Sequence, residues 1–349
     1  MESPGATPGS RRGGRRVRRR RRALVRVALA TVAVIGATAA GTAYVRAHAR
    51  DGGTVSSAAS PKPSASSSSS ASASGEASVE PVTEPVVDRD ALLGKAMSTV
   101  TVPSGARVSA AVLDLDSGGS AVHGDTAFDT ASIVKVDILA TLLLQAQDAG
   151  RSPTAAERAY AAKMIRNSDN ASASELWDAI GRASGLDAAN RRFGLTGTRG
   201  GDGTLWGLTQ TTAADQLALL RQVFGDDSKL SEASRSYLQG LMRTVESDQR
   251  WGVSAAADGA GFALKNGWLP RSSTGLWDVN SIGRVTAGGT DYLVAVLSDG
   301  TVSQARGIAL VEAAARAAVG SFTDAGSSGS APASASASAP TSASASASQ

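Results

Sequence analysis

Residues 111–143, AVLDLDSGGSAVHGDTAFDTASIVKVDILATLL, carry the chain from sheet to helix, and the fold reading starts there. The run RVSAAVLDL at 107–115 is rich in valine, alanine and leucine. Asp116, Ser117, Gly118 and Gly119 make a turn, and 120–123 returns as a second strand of a hairpin. Ser132 then opens a helix to about Ala149, in which Ile133, Val136, Leu139 and Leu143 recur near the helical period and Gly150 is the stop. Further along, Thr154 and Glu157 form a capping box for a helix that ends at Ile165, and Ser172 with Glu175 starts the next. Helices fit 187–193, 212–224, 231–245 and, last, an alanine-rich 304–319; strands fit 262–265, 280–287 and 292–298. Runs of one element type predict an α+β fold: three α/β/α layers, an antiparallel five-stranded sheet and a helical lobe. A cleft between sheet and lobe is the natural place for a site.

Both ends of the chain differ from this middle. Residues 56 to about 80, and again 324–349, are rich in serine, alanine and proline. Such tracts hold too little apolar surface to offset backbone ordering and read as linker and tail. The first 50 residues hold twelve arginines and one acid, whereas the remainder carries 23 basic and 30 acidic residues, so the body is mildly acidic. The basic front runs into residues 27–45, an uncharged stretch long enough to cross a bilayer, and arginines before it hold the N-terminus in the cytoplasm. The expected order is a basic cytoplasmic tail at 1–26, a transmembrane signal anchor at 27–45, a disordered linker at 46–84, a catalytic domain at 85–322 outside the cytoplasmic membrane, and a disordered tail at 323–349. Ala47-His48-Ala49 has the small-x-small form of a cleavage site, so secretion after cleavage near Ala49 stays open. Adjacency to the apolar segment argues against a nucleic-acid arm. The absence of cysteine excludes disulfides, thiol catalysis and thiolate metal sites. With His48 and His123 the only histidines, a histidine zinc site is not expected either. No cofactor is implied, and a monomer is expected.

Three short motifs follow in order: Ser132-Ile-Val-Lys135, Ser168-Asp169-Asn170 and Lys265-Asn266-Gly267. A serine hydroxyl is a poor nucleophile at neutral pH without a neighbouring base, and a lysine three residues on lies on the same helix face. At a helix start, unpaired N–H groups favour developing negative charge. Lys135 serves as a base only when neutral, and burial with Lys265 as a second cation would lower its pKa. Ser168 could pass a proton to a leaving nitrogen, Asn170 could hold a substrate carbonyl, and Gly267 lets substrate backbone approach the strand edge. The backbone N–H groups of Ser132 and Trp268 would form an oxyanion hole. Arg284 is a candidate partner for a substrate carboxylate. Singly, each motif has a plain structural reading as a helix start, a turn or a hairpin; the order and the elements join them into one site. His123 reads as a polar strand-end residue without an aspartate partner.

This set resembles the class A β-lactamases and penicillin-binding proteins. Beyond the motifs, 111–143, MIRNSDNASASELWDAIG (164–181), LWGLTQTTAADQLALL (205–220) and ALKNGWLPR (263–271) are similar to that family. The resemblance covers about residues 90–320. It implies a β-lactamase/transpeptidase-like fold, an acyl-enzyme, and β-lactams or D-alanyl peptides as substrates. Carried onto this sequence, Ser132 is the nucleophile, Lys135 its activator, Ser168 the proton shuttle, Asn170 the substrate amide holder and Lys265 the cation beside the substrate carboxylate. Asn266 stands where the family has a hydroxyl residue and would keep a hydrogen-bonding group there. Class A members also carry a loop glutamate that positions the deacylating water; GLTGTRGGDGTLWGLTQT (194–211) has none, and Asp202 is its one carboxylate. The expectation is a serine acyl-hydrolase that opens β-lactams and deacylates slowly. The alternatives are a D-alanyl-D-alanine carboxypeptidase or transpeptidase of cell-wall peptide, and a non-catalytic wall-binding module.

Overall fold

The computed structural model describes residues 87–328. The expected basic tail, membrane segment and linker lie outside these residues, as does the C-terminal tract beyond 328. Among the described residues no helix is long and apolar enough to cross a membrane.

α1 (Arg89–Met97) was not foreseen; it buries Leu93 and Met97 alone and is capped by Asp88, which accepts from Ala91 N at 3.0 Å. β1 (Arg107–Asp114) and β2 (Ser120–His123) form the expected hairpin. The two-residue β3 (Phe128–Asp129) leads through a 3₁₀ turn, Ala131–Ile133, into α2 (Val134–Asp148). The lobe continues with α3 (Ala155–Arg166), α4 (Asn170–Ala179), α5 (Arg182–Phe193), β4 (Gln210–Thr211), α6 (Ala213–Phe224) and α7 (Glu232–Arg243). β5 (Phe262–Pro270), β6 (Trp277–Ala287), β7 (Thr290–Thr301) and α8 (Gln304–Ser328) complete the order.

Local chemistry sets the boundaries. Thr154 and Glu157 close the capping box of α3, and Thr212 and Ser231 cap α6 and α7. The expected box of Ser172 and Glu175 does not form. Asp169 caps α4 instead, accepting from Ser172 N at 2.7 Å, so Ser172 lies buried within the helix and Glu175 is exposed in its middle. β5 runs past the Asn-Gly pair because it is an edge strand, where Pro270 removes no ladder bond.

The sheet is antiparallel in the order β2-β1-β7-β6-β5. Helices cover both faces, which gives the α+β, three-layer class. Ala111, Leu113, Leu293, Ala295 and Leu297 face the helical lobe, and Ala110, Val112, Val294 and Val296 face α1 and α8. Burial on both sides explains why β1 and β7 read as unbroken apolar runs. α2 is the spine of the lobe and is buried along nearly its whole length, Lys135 and Asp137 included. Asp137 accepts from Asn190 Nδ2 at 3.0 Å, yet burial pushes its carboxyl up to about 7. The same burial strips water from Lys135, one turn from the cleft.

Candidate active site

The cleft has a volume of about 470 Å³ and opens between the end of β5, the 3₁₀ turn, the start of α4 and the loop before β4. Ser132, Asn170, Trp206, Trp268 and Arg271 line it. A larger groove of about 770 Å³, between α1 and α8, contains none of the three motifs.

Ser132 sits on the 3₁₀ turn and not in the first turn of α2. Its neighbour Ala131 is held at φ 47°, a left-handed conformation that costs a non-glycine residue energy and persists only where its surroundings impose it. The imposition is visible. Asn280 of β6 donates from Nδ2 to Asp129 O at 2.9 Å and to Thr130 O at 3.1 Å, and Thr130 N donates to Thr209 O at 2.8 Å. From the other side, β5 presses Gly267 against the turn. A Cβ at 267 would lie 2.7 Å from Ser132 N and from Thr130 O. Among the described residues no backbone carbonyl outside the turn accepts the Ser132 N–H, which leaves it free for a ligand oxygen.

Lys135 and Lys265 are both buried, and both reach Ser168 Oγ, at 3.1 and 3.0 Å. Lys135 Nζ also donates to Ser168 O at 2.6 Å and to Asn170 Oδ1 at 2.8 Å; Lys265 Nζ donates to Asn266 O at 2.7 Å. Ser168, at φ 55°, is a second left-handed non-glycine residue at the site, and this conformation turns its carbonyl and hydroxyl toward one amine. Burial holds Lys135 down to about 7 against the opposing charge of Asp169. Burial first, and the nearby Lys135 second, push Lys265 well below its ordinary value. Among the described residues no hydrogen bond joins Ser132 Oγ to Lys135, whose three donor positions are taken by Ser168 and Asn170. Before substrate binds, the serine and the amine are thus neighbours across one turn without being paired.

Residues 156–322, which include the second and third motifs, match the model of the β-lactamase enzyme family. A comparison with curated proteins gave no match. Among solved structures, a point mutant of PBP-A in acyl-enzyme complex with penicillin G is similar at 23% identity over 67% of this chain and 97% of that one, TM-score 0.57. A class A β-lactamase from Bacteroides cellulosilyticus is similar at 14% identity over 68% of this chain and 99% of that one, TM-score 0.59. A β-lactamase from Xanthomonas campestris pv. campestris is similar at 24% identity over 66% of this chain and 98% of that one, TM-score 0.54. Residues 156–322 are thus similar to the β-lactamase enzyme family, and the fold is the one seen in PBP-A and the class A β-lactamases.

The fold brings together Ser132, Lys135, Ser168, Asn170, Lys265 and Gly267. It does not bring the Asn266 side chain or Arg284 to them. Strand alternation puts Asn266 on the face opposite Lys265. There its Nδ2 donates to Gln249 O at 2.8 Å and to Trp251 O at 3.0 Å, so the amide pins the segment under β5 and offers the cleft no group. Trp268 likewise packs its ring at a tilt against Trp251, centroids 5.9 Å apart, although the residue borders the cleft. Arg284 pairs in register with Ala263, two residues beyond Lys265, and its guanidinium binds Asp291 at 2.9 Å. Arg271 is the arginine that lines the cleft, and it is held by Asp278 at 2.6 Å and by Asp129. Asp202 is exposed and makes no side-chain hydrogen bond to either Ser132 or Lys135 among the described residues. Sequence reasoning did not select Asn280 or Trp206. A buried strand asparagine and a lone tryptophan in a glycine-rich loop were the available signals.

Proposed function

We propose that this protein is a serine acyl-transfer enzyme that opens β-lactams, or releases D-alanine from D-alanyl peptides, through an ester on Ser132, and that the ester hydrolyses slowly. The observation that carries this is the shared hydroxyl: Ser168 Oγ lies within hydrogen-bond reach of both Lys135 Nζ and Lys265 Nζ. Ser132 Oγ attacks the carbonyl carbon, and its proton passes to neutral Lys135. The oxyanion is received by the N–H groups of Ser132 and Trp268. The proton then moves from Lys135 through Ser168 Oγ to the leaving nitrogen as the C–N bond breaks, while Lys265 holds Ser168 and faces the substrate carboxylate. Asn170, at the cleft rim, binds the substrate amide. A Lys135 value of about 7 makes the acylation rate rise with pH through that region, because the base form is the one above it.

Slow hydrolysis is supported by the loop at 194–211, which contains no glutamate. Location of the catalytic domain outside the cytoplasmic membrane is supported by the arginine-rich front and the apolar stretch at 27–45. The test sets nitrocefin beside a D-Ala-D-Ala peptide. The expected result with nitrocefin is a burst of one equivalent per protein followed by a slow steady phase. Sustained rapid turnover without a burst would exclude slow deacylation, and release of D-alanine at a higher rate than nitrocefin opening would assign the carboxypeptidase activity.

A further inference from the structure

Trp206 belongs to none of the three motifs, yet its indole covers the amine of Lys135, with Nζ 4.9 Å from the ring centroid. Its Nε1 donates to Ser174 Oγ at 3.2 Å, which fastens the ring to α4, the helix that begins at Asn170. The same residue borders the cleft beside Ser132 and Asn170. The remaining positions around the amine are already filled: Ser168 O at 2.6 Å, Ser168 Oγ at 3.1 Å and Asn170 Oδ1 at 2.8 Å. With these three partners and the ring around it Lys135 is fully buried, so water reaches the amine only where one of them gives way.

Hydrolysis of an ester on Ser132 needs water at the amine. A water oxygen must attack the ester carbonyl carbon while a base takes the water's proton; the C–O bond to Ser132 then breaks, and its oxygen takes a proton back. Asp202, the one carboxylate of the loop that carries Trp206, does not line the cleft that holds Ser132. Lys135 is the base at hand, and it could accept the water's proton and return it to Ser132 Oγ if water reached it. The groups that face the amine are Lys265 on β5, Ser168, Asp169 and Asn170 at the start of α4, and the indole.

We propose that Trp206 is a positioning residue that shields the Lys135 amine and the Ser132 ester from water, so that acylation proceeds and hydrolysis is held back. This rests on the acyl-enzyme reading above. The shield acts in two directions. It keeps the amine dry, which favours the neutral base, and it closes the path by which the base would activate water. The indole face also attracts an ammonium, but burial is the larger influence on Lys135.

The test follows the full chain by intact mass after acylation with benzylpenicillin and removal of the excess, for the parent, Trp206→Ala, Trp206→Leu and Trp206→Phe. Trp206→Ala is expected to lose the adduct about tenfold faster or more, and the acid limb of its acylation profile is expected to move to higher pH as the amine regains water. Trp206→Phe is expected to keep both properties close to the parent's. Trp206→Leu, which uncovers part of the amine and keeps an apolar residue in the loop, is expected to lie between and carries the test if the alanine variant does not fold. A parent that forms no adduct overturns the acyl-enzyme reading and this proposal with it. A parent that forms one, with alanine and leucine variants that share its deacylation rate and its acid limb, overturns the shield alone. So does a phenylalanine variant as fast as the alanine one.

Discussion

Lys135→Ala is expected to slow acylation by benzylpenicillin by about 10²–10⁴-fold, the usual contribution of a positioned general base. Lys135 is the amine one turn from Ser132, and burial holds it down to about 7, so a usable fraction is neutral at physiological pH. The parent's acylation rate should climb as pH rises through that value, and the variant's profile should lose the limb. Lys135→Arg should not rescue the rate, since a guanidinium stays protonated in a protein. Folding is a separate readout, because the substitution removes a buried cation but leaves Ser168 O and Asn170 Oδ1 without their donor. Acylation kinetics of variant and parent, measured by stopped-flow across pH, decide the matter; a rate within a few fold of the parent's would contradict the role given to this amine.

Gly267→Ala should be almost as damaging, by a different route. The added methyl would lie 2.7 Å from Ser132 N and from Thr130 O, and 2.8 Å from Ile133 N. All three are backbone atoms, and Asn280 and Thr209 hold the turn from behind. Neither side can yield like a flexible side chain, so β5 and the turn must separate. Overpacking of this kind costs about 1–3 kcal/mol in stability. Withdrawal of β5 also displaces the Trp268 N–H from the oxyanion position, and loss of one such donor costs about 10²–10³ in rate. A lowered melting temperature together with a rate loss of about a hundredfold is expected in thermal melts and penicillin-labelling kinetics. A variant with parental kinetics would show that the close approach of strand and turn has no part in the reaction.

Much of this architecture was legible because the decisive signals are local. The hairpin of β1 and β2 announces itself by a turn of Asp, Ser and two glycines, and Thr154, Thr212 and Ser231 mark the starts of their helices to within a residue. What was missed depends on register or on tertiary packing. Asn266 follows Lys265 on one strand, and alternation alone turns the two side chains to opposite faces. Arg284 lies next to Lys265's strand, but its true partner along the ladder is Ala263, a register that the sequence does not declare. Ser132 was expected on an α-helical turn; the positive φ of Ala131, imposed by β5 and β6, makes it a 3₁₀ turn. Glycines around Trp206 leave its loop conformation to its contacts, and the indole over Lys135 is a product of the folded lobe.

The most direct measurement is the intact mass of the parent and of Ser132→Ala after incubation with benzylpenicillin, with the labelled peptide mapped. The expected result is one added penicillin on the parent, confined to the peptide that contains Ser132 and still present after the excess is removed, and no addition to the variant. A parent that neither gains mass nor consumes penicillin, or a variant that is labelled as fully as the parent, would contradict the account.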